Sequence, residues 1–182
     1  MEHFYQFIGE DWFTYPELYK QAVRDFDSGV FVEVGSWKGR SAAFLGVEII
    51  NSGKPIKLYC VDTWKGSVEH QEMDCVVNDS LYDEFSNNIK ILESVITPVR
   101  LPSVEAAKQF EDNSIDFVFL DASHEYEDIK ADIAAWYPKV KPGGLFAGHD
   151  YNWTGVNKAV TEFSLEYNKA IHTSEACWIT GK

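Results

Sequence analysis

Apolar runs with strand character alternate along the chain with segments in which apolar residues recur at helical spacing. Strands are predicted at residues 30–34, 57–61, 97–101, 115–120 and 145–147. Helices are predicted at residues 15–26, 39–50, 81–92, 103–110, 125–140 and 155–167. This alternation is typical of βαβ units, in which parallel strands form a sheet with helices on both faces. The pattern therefore predicts an α/β protein with a mostly parallel sheet.

Three segments depart from this alternation. Residues 169–172 and 177–180 have the form of a closing antiparallel hairpin. Residues 65–80 show weak periodicity and mixed polarity, and we interpret them as a loop or insertion. Residues 1–29 are predicted to be an N-terminal helical extension. Because 182 residues allow one full core, residues 1–182 are predicted to form a single domain.

Composition and charge narrow the class of protein. A content of 45% hydrophobic and 15% aromatic residues excludes a disordered chain, and no window is apolar for long enough to cross a bilayer. The first ten residues lack the features of a secretory signal, so we expect a cytoplasmic protein. The formal net charge of -13 argues against a surface that binds nucleic acid, which needs a basic stripe. We expect a small-molecule partner, with neither nucleic acid nor membrane.

Cysteine spacing and the N-terminal aromatic residues add two further expectations. Cys60, Cys75 and Cys177 have no paired spacing, which argues against a disulfide framework and a thiolate zinc site. Aromatic residues near the N-terminus would allow the chain to pair into a homo-oligomer if they were exposed. They are Phe4, Tyr5, Phe7, Trp12 and Phe13.

An acidic residue stands inside the first predicted strand, ahead of a glycine-rich turn. The segment Val30–Ser41 contains Glu33-x-Gly35-x-x-x-Gly39, and its glycines let a ligand approach the backbone. Dinucleotide-binding loops instead use G-x-G-x-x-G. A carboxylate ahead of glycine amides suits a ligand that carries an ammonium and a carboxylate at one end, as S-adenosylmethionine does. The alternative is a glycine-rich turn of any α/β protein.

Acidic residues also follow other predicted strands, and ligands of open α/β sheets bind at the carboxyl ends of the strands. Asp62 ends the second strand, where a carboxylate can accept hydrogen bonds from both ribose hydroxyls of an adenosine-containing ligand. A turn or N-cap aspartate is the alternative. Asp121 and Asp150 follow two later strands that should be neighbours, so their oxygens can converge on a divalent ion such as Mg²⁺.

These segments together resemble class I S-adenosylmethionine-dependent methyltransferases. Residues 33–41 are similar to their motif I in the form E-V-G-S-x-x-G-R-S, and residues 62–64 to a D-x-W that follows the second strand. Residues 121–126 and 149–151 resemble the D-x-x-H-x-Y and H-D-Y motifs of the subgroup that includes the macrolide-sugar O-methyltransferases. The resemblance covers nearly the whole chain from Val30 onward.

The resemblance implies a Rossmann-like fold, a mostly parallel seven-stranded sheet with an antiparallel last strand, in a single methyltransferase domain. Family members place substrate-covering elements in segments equivalent to residues 1–29 and 65–80. The residues assigned to the cofactor are Glu33, Gly35, Ser36, Trp37, Gly39, Ser41, Asp62, Thr63, Trp64, Ser103 and Asp121. Trp64 is expected to stack on adenine or to wall the cavity. Two alternatives stay open: Trp37 can pack under the turn, and Ser103 can cap a helix.

The resemblance also implies a metal centre and a general base. Metal-dependent relatives use residues that map to Asp121, His149 and Asp150. The imidazole nitrogen of His149 suits Mn²⁺, Fe²⁺ or Zn²⁺ better than Mg²⁺, so the metal differs, His149 turns away, or no metal binds. His124 matches the general base and is assigned to catalysis with Asp121; a solvent-facing residue at a helix start is the alternative. His70 has no such context and is expected at the surface.

The favoured function is therefore S-adenosylmethionine-dependent methylation of a hydroxyl on a small acceptor, a sugar or a natural product, with Mg²⁺ or Mn²⁺ as the candidate metal. The alternatives are a hydroxylase-like enzyme on the same fold and a non-catalytic S-adenosylmethionine-binding protein. The base beside two carboxylates argues against a pure binder. A nicotinamide-dependent dehydrogenase is the weakest rival, because its ribose-binding acid would stand nearer to the glycines than Asp62 does.

Overall fold

Seven strands form one sheet in the computed structural model, which describes residues 1–182. They are β1 (Gly29–Val34), β2 (Ile56–Asp62), β3 (Ile96–Arg100), β4 (Ile115–Leu120), β5 (Val140–Gly148), β6 (His172–Ser174) and β7 (Cys177–Gly181). Their order is β3-β2-β1-β4-β5-β7-β6. Strand β7 pairs antiparallel with both β5 and β6, whereas the other pairs are parallel. The predicted fold class and closing hairpin are confirmed, although β6 begins later than expected.

Helices cover both faces of this sheet. They are α1 (Pro16–Asp25), α2 (Arg40–Ser52), α3 (Asp74–Val77), α4 (Leu81–Ile89), α5 (Ser103–Ala107), α6 (Tyr126–Trp136) and α7 (Thr154–Tyr167). Alternate residues of β1 enter separate cores: Phe31 packs with residues of α1, α2 and α4, and Val32 with residues of α5, α6 and α7. Burial on both faces explains why the central strands are continuous apolar runs. None of the helices has the length and apolar character needed to span a membrane.

One predicted segment is more regular than its pattern indicated, and one predicted boundary was wrong. Residues 65–80 are not irregular throughout, because they contain a 3₁₀ turn at Val68–His70 and the short helix α3. The helix predicted to reach residue 140 ends at Trp136, and Lys141 to Gly144 lies inside β5 instead of ending a helix. Proline in a strand is tolerated next to an irregularity in pairing, and the β4–β5 register shifts between Ile115 and Phe117.

The register of the parallel strands brings their carboxyl ends to one edge of the sheet. Val34 of β1 pairs with Val61 of β2 and Leu120 of β4, and Leu120 pairs with Gly148 of β5. Gly35, the next residue after β1, has φ of 90°, and a Cβ there would overlap the carbonyl oxygen of Asp121. Only glycine therefore allows the β1 turn to lie directly against the end of β4.

The N-terminal residues pack on the face of β4 that leads to this edge. The ring of Tyr15 lies 4.5 Å from that of Phe119, and the ring of Tyr19 lies 5.1 Å from it, measured between centroids. Phe119 is fully buried, and Ile8 and Phe13 are also buried in the same core. The segment before α1 is thereby fixed beside the end of β4.

We expect Phe119→Ala to lower the free energy of unfolding by about 3–5 kcal/mol, because it leaves a cavity under both tyrosine rings. Urea denaturation would measure the loss. Phe7→Ala is the matched control, since Phe7 is 85% exposed and Phe119 is 0% exposed. A similar loss of stability in the two variants would contradict the packing described for the N-terminal residues.

Candidate active site

A cavity of about 640 Å³ opens at the carboxyl edge of the sheet. Its walls come from the turn after β1, the residues that follow β2, β3, β4 and β5, and two further segments, residues 10–15 and 66–70. The volume is in the range of small-molecule and cofactor sites. Of the residues assigned to the cofactor, eight line it: Gly35, Ser36, Trp37, Ser41, Asp62, Thr63, Ser103 and Asp121.

Asp62 organises the wall formed by the glycine turn. One carboxylate oxygen accepts a hydrogen bond from the backbone N–H of Trp37 (2.9 Å), and the other accepts one from the N–H of Trp64 (2.7 Å). Burial raises the pKa of the Asp62 carboxyl, and these amides act in the opposite direction. Both tryptophans have positive φ angles, so the carboxylate holds two strained turns in place. Asp62 therefore makes the contacts expected of a turn aspartate, and it also lines the cavity.

Glu33 lies behind the cavity wall and does not line it. Its carboxylate, 1% exposed, accepts hydrogen bonds from the hydroxyls of Tyr19 (2.7 Å) and Ser36 (2.6 Å). Burial raises the pKa of Glu33 to about 7, against the opposing effect of hydrogen bonds from Ser36, Tyr19 and Ser41. Its bonded partners Ser36 and Ser41 are the residues that line the cavity.

Gly39 and Trp64 also do not line the cavity. Gly39 has φ of 86°, and a Cβ there would meet Phe85 and Ile89 of α4, so it permits helix packing. The Trp64 ring is buried against Tyr82 and Phe85, and its indole N–H donates to the carbonyl oxygen of Trp37 (2.8 Å). Its position after the strand did not reveal that the ring turns inward.

Ser103 lines the cavity but is not a helix cap. Pro102 occupies the N-cap position of α5 and makes no side-chain cap bond. The Ser103 hydroxyl oxygen instead accepts a hydrogen bond from the indole N–H of Trp136 (2.8 Å). The predicted capping role was wrong, because the side chain reaches across to α6.

Asp121, His149 and Asp150 converge at the ends of β4 and β5, as the strand order predicted. Nδ1 of His149 lies 3.5 Å from Oδ1 of Asp121 and 3.3 Å from Oδ1 of Asp150. The Tyr15 hydroxyl donates to Oδ2 of Asp121 (2.6 Å), and Nε2 of His149 contacts the Thr14 hydroxyl (3.1 Å). Burial lowers the pKa of His149, but contacts with Asp121 and Asp150 outweigh it and raise that pKa to about 10.

The three side chains fit the donor set of a divalent ion. One donor atom from each lies within 4.8 Å of the others. Adjacent donors on an ion about 2.1 Å away would be about 3 Å apart, close to the separations observed. One nitrogen and two oxygens suit Mn²⁺ or Fe²⁺ better than Mg²⁺. His149 faces both carboxylates, so the alternative in which it turns away does not describe this structure.

His124 lies beside this cluster, between two carboxylates. Its Nε2 is 2.9 Å from Oδ2 of Asp150, and its Nδ1 is 3.3 Å from Oε1 of Glu69. The ring stacks on Trp153 with centroids 4.4 Å apart and planes at 22°. The contact with Asp150 raises the pKa of His124, and burial opposes it. His124 therefore lines the cavity and is not a solvent-facing residue at the start of α6.

Sequence reasoning missed several residues that line the cavity. His70, expected at the surface, packs against Trp37 (4.4 Å between ring centroids) and Trp12 (5.5 Å), and these two tryptophans also contact each other (5.9 Å). The same segment supplies Glu69, whereas Trp12 belongs to the N-terminal residues. The spacing of these residues carries no motif, so only the folded chain brings them together. Trp37 was expected either to line the cofactor site or to pack under the turn. It does both, since its ring packs against His70 and also lines the cavity.

The strand order and the cavity at the carboxyl edge of the sheet are those of a Rossmann-like fold. The chain belongs to the methyltransferase domain family, whose model matches residues 32–151. The matched region includes the glycine turn, Asp62 and every residue from Asp121 to Asp150. The predicted membership of a methyltransferase family is confirmed.

Individual proteins of known sequence or structure are also similar to this chain. The uncharacterized protein y4gI of Sinorhizobium fredii (strain NBRC 101917 / NGR234) is 28% identical over 119 residues, which span 65% of this chain and 13% of that protein. The O-methyltransferase NovP has a TM-score of 0.73 at 16% identity, over 92% of this chain and 78% of NovP. MycE, from the mycinamycin biosynthetic pathway, was solved with Mg, SAH and mycinamycin VI. Its TM-score is 0.58 at 16% identity, over 91% of this chain and 48% of MycE.

Glu33 should make the stability of the protein depend on pH. Because its folded pKa, about 7, lies above the ordinary value of 4.5, its contribution to stability is present below pH 4.5 and is lost as the pH rises to about 7. We expect Glu33→Gln to weaken this loss, since the amide does not ionise. Urea unfolding of both proteins at about pH 5 and about pH 8 would measure it. Equal pH dependence of the two proteins would contradict the burial of an ionisable Glu33.

Proposed function

We propose that the protein transfers a methyl group from S-adenosylmethionine to a hydroxyl oxygen of a small, uncharged acceptor. The observation that carries the proposal is the position of His124 next to Asp150, with Asp121 and His149 around it, on the cavity wall. A hydroxyl is a poor nucleophile until it loses its proton, and an imidazole is the side chain best suited to accept that proton near neutral pH.

The cofactor is proposed to occupy the wall formed by the ends of β1 and β2. Asp62 would accept hydrogen bonds from the ribose hydroxyls with its remaining lone pairs. Gly35, Ser36 and Ser41 would face the amino acid end. When bound, S-adenosylmethionine supplies an electrophilic methyl group on a sulfonium.

The charge of the cavity supports an acceptor without phosphate. Six carboxylates line it: Glu10, Asp11, Asp62, Glu69, Asp121 and Asp150. The only Lys or Arg among the lining residues is Arg40, whose guanidinium already contacts Asp11 and the carbonyl oxygen of Ile8. A phosphorylated acceptor or a nucleic acid would have no free cation to pair with. The half-exposed rings of Trp12 and Trp153 offer apolar faces on which a sugar or aromatic ring can stack.

A divalent ion is proposed at Asp121, His149 and Asp150, where it would orient the acceptor oxygen and lower its pKa. The Tyr15 hydroxyl fixes Asp121 by bonding to Oδ2, so that Oδ1 faces His149. His124 would accept the acceptor proton, and the cavity walls would hold the two reactants in line. Residues 10–15 and 66–70 would cover the acceptor side, in the N-terminal extension and the insertion of the single methyltransferase domain.

We expect S-adenosylmethionine to bind, and SAH to form when catechol or methyl glucoside is added as an acceptor probe. Glucose phosphate should support much slower transfer, because the cavity has no free cation. Calorimetry would measure binding, and mass spectrometry with NMR would identify the product. A product methylated on carbon, or faster transfer to glucose phosphate than to methyl glucoside, would contradict the proposal.

The metal assignment makes a separate prediction for Mn²⁺ binding to the protein. Asp150→Asn should weaken Mn²⁺ binding by about tenfold or more, because it removes a charged ligand beside His149. Calorimetry or electron paramagnetic resonance would measure it. Asp112→Asn is the control, since Asp112 is an exposed residue that pairs with Lys139 outside the cavity. Equal Mn²⁺ affinity in the two variants would argue against the metal site.

A further inference from the structure

We propose that Thr14 is a positioning residue, whose hydroxyl fixes the orientation of the His149 ring in the candidate metal centre. The inference rests on the metal site of the proposed function, and it adds a residue from an N-terminal segment that carries no methyltransferase motif. The observation that points to it is the division of the ring, because Nδ1 faces Asp121 and Asp150 whereas Nε2 faces Thr14.

The two ring nitrogens of His149 have different partners. Nδ1 lies 3.5 Å from Oδ1 of Asp121 and 3.3 Å from Oδ1 of Asp150, and Nε2 lies 3.1 Å from Oγ1 of Thr14. A histidine ring has two broad orientations about its Cβ–Cγ bond, related by half a turn. In the turned ring, carbon atoms would occupy the places of both nitrogens. The bond to Thr14 therefore favours the orientation in which a nitrogen faces the two carboxylates.

The remaining contact of the ring does not distinguish the two orientations. Tyr15 packs against the His149 ring with centroids 4.9 Å apart and planes at 50°. An aromatic face meets the atoms of either orientation about equally. Outside the cluster, Thr14 is the only side chain that is hydrogen-bonded to the ring. Histidines that bind a metal ion through one nitrogen donate the N–H of the other to a fixed acceptor, and the Thr14 oxygen is in place for that role.

The neighbours of Thr14 hold it in this position. Phe13 and Tyr15 are buried, whereas Thr14 is exposed and lines the cavity. The Phe13 ring packs against Phe44 of α2 (5.1 Å between centroids), and the Tyr15 ring packs against Phe119 of β4 (4.5 Å). The backbone at Thr14 is thereby anchored on both sides. A β-branched side chain is also stiff at χ1, so the hydroxyl is directed at His149 with little freedom to turn away.

Mn²⁺ binding, measured by electron paramagnetic resonance, tests the inference without cofactor or acceptor. Thr14→Val keeps the shape of the side chain and removes the hydroxyl. We expect it to weaken Mn²⁺ binding by about tenfold, the lower end of what the loss of an outer-shell partner costs. Thr14→Ser retains a hydroxyl and should restore binding. Thr161→Val is the control, because Thr161 is exposed on α7 and does not line the cavity.

A double-mutant cycle tests whether Thr14 acts through His149. His149→Asn offers the ion an amide oxygen and removes the nitrogen that Thr14 contacts. In that background, Thr14→Val should leave the Mn²⁺ affinity unchanged, because the interaction that it removes is already absent. Urea denaturation should give Thr14→Val and the wild type similar midpoints, which separates an effect on the metal site from a loss of stability.

Three results would overturn the inference. They are equal Mn²⁺ affinity of Thr14→Val and Thr161→Val, failure of Thr14→Ser to restore binding, and an undiminished effect of Thr14→Val in the His149→Asn background. Absence of Mn²⁺ binding to the wild type would overturn the inference together with the metal site. Methyl transfer would stand or fall separately, on the formation of SAH and a methylated product.

Discussion

The direct contact between the turn after β1 and the end of β4 is the constraint on which the site depends. A side chain at residue 35 would overlap the carbonyl oxygen of Asp121, so glycine is required for the two strand ends to meet. This contact brings the wall assigned to the cofactor next to the cluster assigned to metal and base. Parallel register extends the same edge to Asp62 on one side and His149 on the other. Methyl donor and acceptor would meet where these walls join.

Charge pairing lets this edge hold many ionisable groups without free cations. His149 and His124 lie between carboxylates, and the contacts raise the pKa of both rings. Burial acts to raise the pKa of Asp150, but the contacts with both histidines outweigh it and hold that pKa well below its usual range. Asp150 also has φ of 57°, an uncommon conformation outside glycine. Strain of this kind persists where surrounding contacts hold it, and is frequent at functional sites.

Topology could be predicted from sequence because strand and helix periodicities differ clearly along this chain. The same topology predicted that Asp121 and Asp150 would meet, since residues after neighbouring parallel strands share one edge. The direction of individual side chains could not be predicted. Glu33 and Trp64 occupy expected motif positions, but their side chains turn into the core. There Glu33 accepts a hydrogen bond from Tyr19, and Trp64 packs against Phe85. Glu69 gave no signal, because its partner is 55 positions away and no periodicity connects them.

The bond between Tyr15 and Asp121 joins residues 106 positions apart, and the contact between Thr14 and His149 joins residues 135 positions apart. Contacts with such large sequence separation form late, because the loop entropy must be overcome before they contribute. During synthesis, the residues that brace the acidic cluster emerge long before their partners exist. The sheet can pair progressively, strand by strand, but the cluster acquires its support only when nearly the whole domain has been translated. The acidic cluster therefore lacks both of these N-terminal contacts until residues 121 and 149 have been synthesised.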